Sequence, residues 1–430
     1  MLNVIDKAML KEQFNGTAHV LFNKKLSELN PYELNSVIAH VVKNTIIKSA
    51  WEKANNSFYS CRRTVVYFSM EFLPGRLGDD ALINTSTKEI VSEIFAEEGI
   101  DINCLQDIDD AALGNGGLGR LSSCFLESAA TTGYPVCGEG LYYMNGLFKQ
   151  TFSGGMQVEV PDNWTAQGEP WFEPHYDEAV IVEFNDTKVK AVPYVMPIIG
   201  YNTSHDAINS NVFPMTIWKA EPIEGVTNYH ASKISDYLYP NDRTEDGQKL
   251  RIRQEYFFVS AAMQRIFKVH LQKHGTLDNI EDYYFFQMND THPVFASLEF
   301  IRLLKKNGYT FDEAFEKAKK CFAYTNHTIM SEALEKWPIE FIKGMLPDIY
   351  KVIEELNQKL IDELIAMKEF HYGNTFAGDV KWDEIREYEL FDHQKVYMSK
   401  IACYVAGKIN GVAAVHTEII ENQTLKEWYK

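Results

Sequence analysis

Val65-Val66-Tyr67-Phe68-Ser69-Met70-Glu71 is a short β-branched and aromatic run that stops at polar residues, and the pattern recurs twice. Tyr284-Phe285-Phe286-Gln287-Met288 runs into Asn289-Asp290-Thr291-His292-Pro293, and Cys321-Phe322-Ala323-Tyr324 into Thr325-Asn326-His327-Thr328. Such runs read as buried strands. In open parallel sheets ligands bind beyond the carboxyl ends of strands, so polar residues at three such ends predict one shared crevice. Taken singly, Asp290 or Thr325 reads as a cap on the following helix. Three clusters together, each with a carboxylate or an imidazole, favour a site.

Helical periodicity surrounds these strands. Asn30-Pro31 supplies an N-cap and a proline at the first helical position, and Leu34, Val37, Ile38 and Val41 follow at spacings of three and four. Further helices are expected over about 84–98, 118–131, 249–272, 294–306 and 349–367, and the end of the chain reads as helical. Between Tyr142 and Pro222 the strand-like pieces Val180 to Val182, Val189 to Val195 and Pro214 to Trp218 are separated by Gly, Pro, Asn and Asp, which predicts an antiparallel insertion. The expected fold is α/β, with a mainly parallel sheet and that insertion. A helical segment, 1–64, is expected to pack on a lobe formed by 65–430.

The chain has 430 residues, and 42 Lys and Arg stand against 60 Asp and Glu, a formal charge of -18. That field repels phosphate backbones and anionic lipid, so neither nucleic acid nor membrane is an expected partner. Six cysteines (Cys61, Cys104, Cys124, Cys137, Cys321 and Cys403) are scattered without a C-x-x-C pair, as expected of free thiols in the cytoplasm. Lys7, Lys11, Glu12, Lys24 and Lys25 interrupt the first stretch, and no run approaches 18 apolar residues, so neither a cleaved signal nor a membrane span is expected.

The sharpest local feature is Leu113-Gly114-Asn115-Gly116-Gly117-Leu118-Gly119-Arg120-Leu121. Its glycines let the backbone approach a ligand, and a helix beginning near Leu118 adds a positive dipole end, so the loop reads as an anion cradle with Arg120 in its first turn. Gly114, Gly116 and Gly119 also fit G-x-G-x-x-G, but the preceding Asp107 to Ala112 is no buried strand, which argues against NAD. A ligand-free turn is the alternative. Leu238-Tyr239-Pro240-Asn241-Asp242-Arg243, ahead of the basic helix start Lys249 to Arg253, reads by pattern as loop chemistry. Neither histidines nor cysteines show metal-ligand spacing, and no metal is expected.

Read together, the segments resemble the glycogen and maltodextrin (α-glucan) phosphorylases. The matching stretches are FSMEFLPGR (Phe68 to Arg76), LGNGGLGRL (Leu113 to Leu121), LYPND and LRIRQEYF (between Leu238 and Phe258), NDTHP (Asn289 to Pro293), CFAYTNHT (Cys321 to Thr328), EALEKWP (Glu332 to Pro338) and NGVAAVHTEI (Asn410 to Ile419). The resemblance implies a Rossmann-like lobe of a two-lobed, GT-B type glycosyltransferase. It also implies phosphorolysis of the terminal glucose of glycogen or maltodextrin by inorganic phosphate, giving glucose 1-phosphate, with pyridoxal phosphate as cofactor. By the same resemblance Gly116, Gly117 and Leu118 would present backbone groups to phosphate and glucose, with Asn115 beside them. The carbonyl of His327 would accept a hydrogen bond from the glucosyl CH2OH. Tyr239, Arg251, Asp290, His292 and Glu332 would line the glucan channel, and Glu71 and Asp242 would lie beside the glucose.

In that family a second lobe follows and carries the lysine that holds pyridoxal phosphate. This chain stops at Lys430, before the segment joining the lobes, so that lysine and the cofactor are expected to be absent. Phe72-Leu73-Pro74 lacks the tyrosine of animal enzymes, and Arg243-Thr244 replaces their Asn-Phe gate. The stretch from Trp218 to Leu238 is shorter than their dimer-contact helix, which leaves homodimerisation open. The expected function is thus that of the N-terminal, glucan-binding half of an α-glucan phosphorylase, inactive alone. A noncatalytic glucan-binding or regulatory module is the alternative.

Overall fold

Thr64–Phe68 forms β1 at the middle of the sheet in a computed structural model that describes residues 6–57, 63–201, 211–225, 231–330, 333–374 and 378–429. Before it come α1 (Lys7–Phe22), α2 (Pro31–Val41) and α3 (Lys48–Ser57). After it come α4 (Leu77–Asn84), α5 (Lys88–Glu97) and α6 (Gly117–Thr132), then β2 (Val136–Leu141), β3 (Glu173–Pro174), β4 (Val180–Glu183), β5 (Lys188–Ile199) and β6 (Val212–Glu221). The remainder is built from α7 (Glu245–His274), β7 (Tyr284–Asn289), α8 (Phe295–Lys306), α9 (Phe311–Cys321), β8 (Phe322–Asn326), α10 (Pro347–Ile365), α11 (Met398–Val405) and β9 (Lys408–Gly411).

The sheet order is β9-β8-β7-β1-β2-β6-β5-β3, with β4 also on β5. Pairings from β9 through to β6 are parallel, and those of β5 with β6, β3 and β4 are antiparallel. From β1 the chain builds outward through β2, and it then returns to place β7 on the other side of β1. The boundary between β1 and β7 is therefore the switch point where an open sheet leaves a crevice at its carboxyl edge. The register sets Phe68 beside Met288 and Asn289 beside Thr325, so the three polar clusters emerge at one edge.

The helices before β1 share the main core: Leu10, Phe14, Leu34, Val37 and Ile38 join Val66 and Phe68 in one buried cluster. At the start of α2 the Asn30 side chain accepts from the Glu33 N–H, and the Glu33 carboxylate accepts from the Asn30 N–H, both at 3.0 Å. Such a reciprocal cap is worth about 1 kcal/mol. In α7 the stretch Ile252 to Met263 is buried throughout, which erases the amphipathic signature of a surface helix.

Several sequence expectations need correction. The helix expected over 84–98 starts only at Lys88, behind a turn that ends α4: the Thr85 hydroxyl turns back to Ala81 O (2.7 Å) and to Thr87 (2.8 Å), and Ser86 has φ +56°. The expected antiparallel strands between Tyr142 and Pro222 are present, and they extend the main sheet: β6 pairs parallel with β2 on one side and antiparallel with β5 on the other. Cys321 closes α9 instead of opening β8, and α7 starts at Glu245 behind a Thr244 cap. The end of the chain contains the edge strand β9 before its last helical turns. No helix among the described residues is long and apolar enough to cross a membrane. Of the cysteines, Cys137, Cys321 and Cys403 are buried and Cys104 and Cys124 half-buried, all free, while Cys61 lies outside the described residues.

Candidate active site

Glu71 is 4% exposed just past β1, and it organises the glycine loop. Its Oε2 accepts the N–H of Asn115 at 2.6 Å and of Gly116 at 3.3 Å, and its Oε1 accepts the hydroxyl of Tyr239. Two glycines permit this approach. A Cβ on Gly119 would lie 3.0 Å from Glu71 Oε2, and one on Gly114 only 2.8 Å from Leu73 Cγ. Gly116 and Gly117 differ, since a Cβ there meets nothing within 4 Å. The first intrahelical bond of α6 runs from Arg120 N to Gly116 O at 3.0 Å, so the N–H groups of Gly117, Leu118 and Gly119 have no partner inside the helix. Arg120 directs Nη1 to the carbonyls of Leu73 (3.1 Å) and Pro74 (3.3 Å) and so braces the loop.

Neither Asp290 nor Thr325 caps a helix. Asp290 Oδ1 accepts from the adjacent Thr291 N–H at 2.6 Å, and its backbone N–H donates to Thr325 O at 2.9 Å. Thr325 bridges β7 and β9, accepting from Gln287 Nε2 and donating to Asn410 Oδ1, each at 2.9 Å. Asp290 has φ +67° and Tyr239 φ +53°, left-handed conformations that cost non-glycine residues about 1 kcal/mol or more each. Strain of this kind collects at functional sites.

Asn289 ties the three strand ends together. Its Nδ2 donates to Ser69 Oγ (3.1 Å) after β1 and to Ser122 Oγ (3.0 Å) on α6, while its Oδ1 accepts from His327 Nε2 at 2.5 Å. Burial holds the His327 pKa below the ordinary histidine value, against the pull of Asp290.

A second cluster backs the first. Arg251 Nη2 reaches Glu255 Oε1 (3.0 Å), Glu335 Oε1 (2.6 Å) and His292 Nδ1 (3.2 Å), and its guanidinium stacks 4.8 Å over the Tyr239 ring. Glu335 also takes His292 Nδ1 at 2.7 Å and the Thr291 hydroxyl at 2.8 Å. Burial pushes the Glu255 carboxyl well up, helped by the Glu335 charge. Burial would also raise Glu335, but the charge and hydrogen bond of His292, with Arg251, hold it far below the carboxylate range. Burial works to lower His292, and Glu335 outweighs it to give a raised pKa. Glu255, His292 and Glu335 are close enough to share a metal ion, but the Arg251 guanidinium already supplies the positive charge among them.

Of the residues expected from sequence, Glu71, Asn115, Gly116, Tyr239, Arg251, Asp290, His292 and His327 thus fall in one connected network, with Gly117 and Leu118 at its helix end. Arg251 and Asp290 are only 4% and 8% exposed, so they form the wall from behind. Asp242 is exposed in the loop before α7, and no described hydrogen bond joins it to the network. Glu332 lies outside the described residues. Sequence reasoning missed Asn289, Ser122, Glu255 and Glu335. The signal for Glu335 was a buried Arg251 in need of carboxylates, since charges are seldom buried unpaired.

Known proteins resemble this chain in sequence. The family model described as carbohydrate phosphorylase matches residues 95–430. Glycogen phosphorylase, liver form, of Ovis aries is 32% identical over all of this chain and 53% of its own length. Glycogen phosphorylase of Bacillus subtilis (strain 168) is 33% identical over 94% of this chain and 52% of its own length. That of Synechocystis sp. is 33% identical over 91% and 49%. The chain spans about half the length of the curated relatives it matches. Because the family match runs through the glycine loop and both histidine-bearing strand ends, the chain belongs to the carbohydrate phosphorylase family.

Proposed function

We propose that this chain is the glucan-binding half of an α-glucan phosphorylase, which transfers the terminal glucosyl unit of an α-1,4-glucan to inorganic phosphate and yields glucose 1-phosphate. The observation that carries the reading is the free amino end of α6, held open at Gly117 beside Glu71 and Tyr239, in a network that also contains His327. There the N–H groups of Gly117 and Leu118 and the helix dipole would receive phosphate or the charge developing between it and the sugar. The carbonyl of His327 would orient the glucosyl CH2OH, Glu71 and Asp242 would stand near the glucose, and Tyr239, His292 and Glu332 would line the glucan channel over a wall set by Arg251 and Asp290.

Pyridoxal phosphate would supply proton transfer to and from phosphate in the whole enzyme. The described residues do not fit its attachment: no lysine enters the network, whose cationic side chains are Arg251, Arg120 and the histidines. No step is therefore assigned to it on this chain. The free thiols fit a cytoplasmic location.

The test is to titrate the chain with maltoheptaose in a calorimeter and to assay glucose 1-phosphate with phosphate and pyridoxal phosphate added. The expected result is saturable glucan binding without turnover. No binding, with a folded chain, would remove the reading; binding lost on supplying Asp290→Ala would locate it at this crevice.

A further inference from the structure

Asn289 is 0% exposed at the end of β7, and Ser69 and Ser122, which its Nδ2 reaches at 3.1 and 3.0 Å, are 0% exposed as well. A count of hydrogens fixes the direction of these bonds. The Ser122 hydroxyl has one hydrogen, and Leu118 O takes it at 2.7 Å; the Ser69 hydroxyl has one, and Glu71 O takes it at 2.8 Å. Even a hydrogen shared across the 3.1 Å contact between the two serines leaves each oxygen a lone pair for the amide. Both serines therefore meet Asn289 as acceptors. That spends both amide hydrogens, leaves Oδ1 for His327, and puts the ring proton of a neutral His327 on Nε2.

The far ends of these bonds lie on opposite sides of the crevice. Leu118 belongs to the first turn of α6, the turn whose free N–H groups include its own and that of Gly117, and Glu71 carries the glycine loop through the N–H groups of Asn115 and Gly116. His327 stands just past β8. One buried amide thus joins the amino end of α6 to the strand end that carries His327. A reaction that passes charge between a phosphate and a sugar ring needs the groups facing each to be held in register, and a displacement of about 1 Å can cost about 100-fold in rate.

We propose that Asn289 is a positioning residue for phosphorolysis, holding the first turn of α6, where phosphate is received, in register with His327, which faces the glucosyl unit. The assignment rests on the α-glucan phosphorylase reading above. Asn289 touches no substrate, and its effect on the rate runs through Ser122 on one side and His327 on the other.

The experiment has two arms. In a protein carrying both halves, Asn289→Ala should lower kcat about tenfold or more, while KM for phosphate and for maltoheptaose each change by less than about threefold. Ser122→Ala cuts only the tie to α6 and should lower kcat by a smaller factor, and the double variant should be no slower than Asn289→Ala, because both changes break one path. In the 430-residue chain the ring nitrogen resonances of neutral His327 should report a proton on Nε2 in wild type and a mixture of tautomers in Asn289→Ala, with circular dichroism to check that each variant is folded. Wild-type kcat in folded Asn289→Ala or Ser122→Ala would overturn the proposal, as would losses that multiply in the double variant. So would a neutral His327 protonated on Nδ1 in wild type, a result independent of whether any variant folds. No phosphorolysis by the wild-type protein with both halves would instead remove the phosphorylase reading, and this assignment with it.

Discussion

His327 Nε2 donates to Asn289 Oδ1 at 2.5 Å, from β8's end to β7's, and Asn289 spends its two amide hydrogens on Ser69 and Ser122. The amide cannot turn over without losing donors to both serines, so the His327 tautomer is set from behind. Its pKa is lowered by burial, while Glu335 lifts that of His292. Two histidines in one crevice should therefore titrate on opposite sides of about 6.5, the ordinary value. Histidine ring resonances, assigned through His327→Gln and His292→Gln, test this. A His327 resonance that titrates above that of His292 would contradict the arrangement.

The two kinds of glycine in the loop predict opposite phenotypes. A Cβ at Gly117 meets open space and its φ is not positive, so Gly117→Ala should leave the urea midpoint of the chain unchanged or slightly raised. In a protein carrying both halves it should depress phosphorolysis by about tenfold or more, about 1.4 kcal/mol, by placing a methyl over the free N–H groups. Gly119→Ala pushes on Glu71 at 3.0 Å and should destabilise the fold by about 1–3 kcal/mol. Near-normal turnover in folded Gly117→Ala would reduce the loop to a turn.

Arg251 is a keystone for charge. Arg251→Ala takes the guanidinium from Glu255 and leaves the buried Glu335 carboxylate with His292 alone, and it should cost about 3–5 kcal/mol in urea unfolding. The triple change with Glu255→Gln and Glu335→Gln should recover part of that loss, because the under-compensated carboxylate is gone. A triple variant no more stable than Arg251→Ala would show that packing over Tyr239, and not charge, is what Arg251 contributes.

The crevice was legible because strands rich in Val, Tyr and Phe announce themselves, and because their polar ends are contiguous in sequence. β2 was not, since Val136-Cys137-Gly138-Glu139-Gly140-Leu141 contains two glycines and a glutamate, residues depleted in strands. Its glycines are explained only by packing: a Cβ on Gly140 would lie 2.9 Å from the Phe72 ring. The partners of Arg251 were hidden for a related reason. Glu255 is one helical turn away, but Glu335 comes from a segment 84 residues on, brought there by the fold.

A pH effect on stability should come from carboxyls outside the crevice. Burial raises Asp80 to about 7, with Glu127 adding to it and Arg120 and Asn84 opposing. Burial also raises Glu169 to about 7, against the Trp171 N–H and Lys43. Unfolded carboxyls release their protons near pH 4, so between about 4 and 7 the folded chain holds protons that the unfolded chain has given up. The contribution of these groups is complete below pH 4 and is lost as pH rises through 7. Urea midpoints of wild type, Asp80→Asn and Glu169→Gln at pH 5 and pH 8 measure it. Each variant should gain on wild type between the two, by about 1 kcal/mol or more at pH 8, because the amide stays neutral where the acid must ionise. A gap between wild type and both variants that stays constant from pH 5 to pH 8 would mean that Asp80 and Glu169 ionise in the fold as they do in water.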